Sequence, residues 1–61
     1  MYKQVKELRI KKGLTQEQLA ERLNVSRPLI TRIELGQITP SVPVAKRIGK
    51  ELDFNWTKFY D

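Results

Sequence analysis

The side chains of this 61-residue chain that could do chemistry are cationic and polar rather than catalytic. The chain has no histidine and no cysteine. Acid–base or nucleophilic work would fall to Asp, Glu, Lys, Ser, Thr or Tyr. Disulfides are excluded, and so are zinc sites built from thiolate and imidazole. A core this small leaves little room for the pocket of about 300 Å³ or more that small ligands need. These limits argue against an enzyme and imply no cofactor, metal or small-molecule ligand. Charge points elsewhere. Twelve Lys and Arg stand against seven Asp and Glu, a formal net charge of +5. Such an excess favours a polyanion, most often nucleic acid, or an anionic membrane surface, unless it only solubilises the chain. Residues 1–12 concentrate it, with Lys3, Lys6, Arg9, Lys11 and Lys12 against Glu7 alone.

Any such groups need a scaffold, and the chain is long enough for one small domain, residues 1–61. Hydrophobic residues make up 39% of it, a globular composition. No apolar run nears the roughly 20 residues of a membrane helix, and nothing reads as a signal peptide. A cytoplasmic setting fits these features. The helix signals are local. A first segment runs from about Tyr2 to Lys12, with Val5, Leu8 and Arg9 on one face and Gly13 after it. Thr15 and Gln18 spell a capping box that opens a second segment, whose apolar face is Leu19, Ala20 and Leu23 and whose stop is Asn24. Ser26 can cap a third segment that carries Ile30 and Ile33 on one side. About three residues separate the second and third segments, the spacing of a helix–turn–helix.

Residues 37–40 read as a loop. Either Thr39 or Ser41 could cap the fourth segment. Ser41 places Pro43 at the second helical position, where a missing N–H costs little, so Ser41 is preferred. Val42, Ala45, Ile48, Gly49 and Leu52 then share a face, and Gly49 within it implies close packing against another helix. A short fifth segment holds Trp56, Phe59 and Tyr60, with Asn55 as its cap. Five short helices without a strand signal make an all-α domain. Its expected core is Val5, Leu8, Leu14, Leu19, Ala20, Leu23, Val25, Ile30, Ile33, Val42, Ala45, Ile48 and Leu52.

Three runs together, Leu14-Thr15-Gln16-Glu17-Gln18-Leu19-Ala20, Leu23-Asn24-Val25-Ser26-Arg27 and Ile30-Thr31-Arg32-Ile33-Glu34-x-Gly36, resemble the phage-repressor (Cro-like, or XRE) helix–turn–helix family. The likeness extends from Val5 to Tyr60. It implies a five-helix, lambda-repressor-like fold with the helix–turn–helix at about 15–35. It also implies sequence-specific binding of double-stranded DNA by a bacterial or phage-encoded transcription regulator, most often a repressor acting over two half-sites.

The residues give this a mechanism. A helix–turn–helix lays its second helix in the major groove with that helix's first residues at the base edges. Here those residues are Arg27 and Pro28, with Thr31 and Arg32 one turn on. Arg suits guanine, bonding O6 and N7 together. Thr31 could touch a thymine methyl or a phosphate. Pro28 cannot donate and is left with shape or methyl contact. The resemblance assigns Gln16 to a backbone phosphate, which the start of a helix also favours, and gives phosphate contacts to the loop with Gln37 and Thr39. It pairs Arg9 with Glu34 inside the domain, consistent with charges on otherwise apolar faces that need a partner. Lys3, Lys6, Lys11 and Lys12 read as a solvated face. Trp56, Phe59 and Tyr60 exceed what so small a core obviously needs, which suggests a homodimer through this C-terminal aromatic region. It also supports an alternative, a protein-interaction module of the same fold such as an antitoxin or docking domain.

Overall fold

Thr15 and Gln18 close the capping box that their spacing implies. The Gln18 backbone N–H donates to Thr15 Oγ1 at 3.0 Å, and the Thr15 N–H donates to Gln18 Oε1 at 2.9 Å. This start is one boundary in a computed structural model that describes residues 3–60. The order is α1 (Lys3–Lys11), α2 (Gln16–Leu23), α3 (Arg27–Glu34), α4 (Val42–Leu52) and a 3₁₀ helix (Trp56–Tyr60), with no strand among the described residues. Tyr2, expected at the start of the first helix, lies outside the described residues.

The ends follow the chemistry of their residues. Asn24 takes the left-handed conformation (φ 57°) and stops α2, with its N–H turned back to Ala20 and Glu21. Asp53 does the same for α4 at φ 54°. Ser41, not Thr39, is the N-cap of α4. Neither Ser26 nor Ser41 makes a side-chain cap bond, contrary to the hydroxyl caps expected from the sequence. Such a cap bonds the second or third backbone N–H of its helix, and Pro28 and Pro43 remove one of those two targets.

The fifth segment is 3₁₀ rather than α. Lys58 N–H reaches Asn55 O at 3.1 Å, a bond three residues back, while Asn55 Oδ1 accepts from the Thr57 N–H and hydroxyl. Five residues complete this tighter turn more readily than a run of α bonds.

The core holds Val5, Leu19, Ala20, Leu23, Ile30, Ile33, Ala45, Ile48, Leu52 and Phe59. Leu8, Leu14 and Val25 pack at its edge. Two expectations need correction. Val42 is 45% exposed. It is the first residue of α4, and helix side chains tilt toward the N-terminus, which carries Val42 off the end of the packed layer. Phe59 joins the core instead, edge-to-face with Phe54 at 5.3 Å between ring centres. Trp56 is half-buried and meets Tyr60 at 6.1 Å, with Lys46 Nζ 5.3 Å over its ring. Tyr60 is 45% exposed and donates its hydroxyl to Pro40 O at 2.8 Å.

Gly49 is buried where the 3₁₀ helix folds back over α4. A Cβ there would stand 2.5 Å from the Phe54 carbonyl oxygen and 3.2 Å from Trp56 Cβ. Gly49→Ala is therefore expected to destabilise the domain by about 1–3 kcal/mol through overpacking. That exceeds the roughly 0.5–1 kcal/mol that Ala contributes within a helix. Thermal unfolding checks this, and a rise in melting temperature would contradict it.

Candidate nucleic-acid interface

The turn of residues 24–26 sets α3 against α2, and Val25 N–H closes it on Ala20 O at 3.0 Å. Ile30 and Ile33 anchor α3 in the core. At 3.6 residues per turn, Arg27, Thr31, Pro28 and Arg32 then span one arc of about 140° on the other side. Arg27, Pro28 and Arg32 are exposed and Thr31 is half-buried. Leu35 ends the helix on the same arc and is 63% exposed. The sequence reading gave Leu35 no role, although it falls outside the period of Ile30 and Ile33.

Arg9 and Glu34 form the buried pair implied by the resemblance. Arg9 Nε donates to Glu34 Oε2 at 2.7 Å and Nη2 to Glu34 Oε1 at 3.2 Å, with side-chain exposures of 9% and 3%. Arg9 Nη1 also donates to Leu14 O at 2.8 Å, which fixes the entry to α2. Among the described residues, no buried side-chain nitrogen or oxygen lacks a partner.

Gln16 begins α2 and is half-buried. Its Nε2 donates to Glu34 Oε1 at 3.0 Å, and its Oε1 accepts from Thr31 Oγ1 at 2.9 Å and from Arg27 Nε at 3.5 Å. The structure thus brings Gln16, Arg27 and Thr31 into one network rooted in the Arg9–Glu34 pair. An open cleft beside it is lined by Arg9, Leu14, Thr15, Gln16, Glu17 and Arg27. Gln37 and Thr39 are exposed in the loop between α3 and α4, and the Gln37 N–H donates to Arg32 O at 2.9 Å. Pro28 and Arg32 are exposed on α3.

Arg22 and Arg47 are exposed and bond other elements of the chain. Arg22 pairs with Glu51 at 2.8 Å, and Arg47 Nη1 donates to Leu23 O at 3.2 Å. Lys12, expected on a solvated face, meets Asp53 at 3.2 Å. Arg27 and Arg32, exposed too, are the arginines carried by α3, the element that a helix–turn–helix offers to the major groove.

A small all-α domain with this turn, this cap and this exposed helix is a helix–turn–helix unit, and comparison with known proteins agrees. The helix-turn-helix family model matches residues 5–59, and the chain belongs to that family of DNA-binding transcription regulators. It is 44% identical, over its whole length and 80% of the relative's, to an uncharacterized HTH-type transcriptional regulator, YqaF, of Bacillus subtilis (strain 168). A regulator of the same description from Methanothermobacter thermautotrophicus is 46% identical over 79% of this chain and 70% of its own. YgzD of Bacillus subtilis is 42% identical over 82% of this chain and 76% of its own.

Among the described residues, no helix is long and apolar enough to cross a membrane, and no group of three or more His, Cys, Asp or Glu could hold a metal ion.

Proposed function

We propose that residues 1–61 act as one domain and that the chain is a repressor, working in the cytoplasm of a bacterial or phage-infected cell. It reads operator DNA as a homodimer. In this reading α3 enters the major groove, and Arg27 and Arg32 select guanine through O6 and N7. Gln16, Gln37 and Thr39 hold the phosphate backbone, which sets register without reading sequence. Pro28 and Leu35 supply apolar contact near the bases. The observation that carries the proposal is the place of Arg27 and Arg32 on the exposed arc of α3 opposite Ile30 and Ile33, while Arg9 is buried against Glu34 and the exposed Arg22 and Arg47 bond Glu51 and Leu23 O on other elements.

The second copy would pack through the Trp56–Tyr60 region, where a half-buried Trp meets an exposed Tyr edge to face and the Tyr hydroxyl donates to Pro40 O. Two recognition helices would then meet successive major grooves, with half-site centres about 10–10.5 base pairs apart or a multiple of that. A bound dimer overlapping a promoter would exclude polymerase. Selection of bound sequences from random duplex DNA tests the reading: two related half-sites support it, a single half-site removes the dimer, and no enrichment removes the operator.

A further inference from the structure

A threonine on a recognition helix is ordinarily available to donate its hydroxyl proton to a base or phosphate. The single hydroxyl proton of Thr31 has two acceptors within the protein, Gln16 Oε1 at 2.9 Å and Arg27 O at 3.3 Å. The Gln16 amide is itself constrained. Glu34 is a carboxylate, which only accepts, and it is held by Arg9. Gln16 must therefore turn its NH₂ toward Glu34, at 3.0 Å, which leaves Oε1 toward α3. Nε2 keeps a second proton for a phosphate.

Building on the operator reading above, we propose that Thr31 is a positioning residue and not a reader of sequence. Its hydroxyl braces Gln16, so that Gln16 meets the phosphate backbone while Arg27, touching the same Oε1 through Nε at 3.5 Å, keeps both Nη groups for a base. The brace joins the buried Arg9–Glu34 pair to the DNA-facing arc of α3 through side chains alone. It leaves Thr31 with a methyl group and oxygen lone pairs toward the groove.

The test uses four proteins: the native chain, Thr31→Val, Gln16→Ala and the double variant. Val keeps the shape and one methyl while deleting the hydroxyl. Each protein is subjected to selection from random duplexes, and its affinity for one selected duplex is measured across salt concentrations. Thr31→Val is expected to select the same sequence as the native chain. It should bind every duplex more weakly by about 2- to 12-fold, the worth of one net hydrogen bond. Its salt dependence should be unchanged, because no cationic contact to phosphate is lost. In the Gln16→Ala background the same substitution should have no further effect.

A changed base preference at one position, unchanged affinity, or losses that simply multiply would each overturn the proposal. If the native chain selects no sequence, the operator reading itself fails. The brace is then judged from the melting temperatures of the four free proteins, where non-additive shifts uphold it and additive shifts overturn it.

Discussion

Duplex DNA binding is expected to weaken by roughly 10³–10⁵ between about 50 and 200 mM salt, the loss for a protein contacting about six to ten phosphates. The net charge of +5 is the starting point, but the structure says which cations remain to act. Arg9, Lys12 and Arg22 are matched by Glu34, Asp53 and Glu51. Lys3, Lys6, Lys11, Lys50 and Lys58 are exposed, as are Arg27 and Arg32. About three to five of the exposed lysines and arginines on each subunit of a dimer must lie at phosphates to reach that total. Neutral partners such as Gln16 add affinity without adding slope, because they displace no counterion. Titration of binding against salt checks this. A flat response would show that positive charge has no part in the binding.

Arg9→Ala is expected to destabilise the free domain by about 3–5 kcal/mol, the cost of stranding one partner of a buried pair. Among the described residues Glu34 would keep Gln16 Nε2 as its side-chain donor, and Leu14 O would lose the Arg9 bond that fixes the entry to α2. The total stability of small domains is about 5–15 kcal/mol, and this one has a core of ten buried apolar side chains among the described residues. About 1 kcal/mol moves the melting temperature of such a domain by roughly 4–8 °C, so the expected fall exceeds about 10 °C. Replacing both partners, Arg9→Met with Glu34→Leu, removes the stranded charge and should recover much of the loss. Thermal unfolding followed by circular dichroism decides the matter. An Arg9→Ala protein that melts like the native chain yet fails to bind DNA would place Arg9 at the DNA instead.

Residues whose role depends on chain neighbours were legible in the sequence. The Thr15–Gln18 box and the Asn24 stop rest on bonds within a few residues, and the structure has both, while Ser41 takes the N-cap position over Thr39 without the side-chain bond expected of it. The tight packing at Gly49 was legible because a glycine inside a helix needs a reason. What was hidden depends on partners distant in the chain. Gln16 meets Glu34 eighteen residues away and Thr31 fifteen away, and no spacing rule announces either bond. Phe59 entered the core because the 3₁₀ turn aims it at Phe54, while the helical period alone could not rank it against Trp56 or Tyr60. Val42 fits the apolar period of α4 and is nonetheless exposed, because periodicity gives a direction around the axis and not where the packed layer ends.

Binding-site selection from random duplex DNA, run in parallel on the intact chain and on Arg27→Ala, tests most directly that α3 reads sequence. The native chain should enrich two guanine-containing half-sites related by a dyad. Arg27→Ala should lose its preference at one base pair in each half-site while keeping the rest, a loss of about 1–3 kcal/mol of discrimination there. Failure of the native chain to enrich any sequence, or an Arg27→Ala variant that selects the identical site with full preference, would contradict the account.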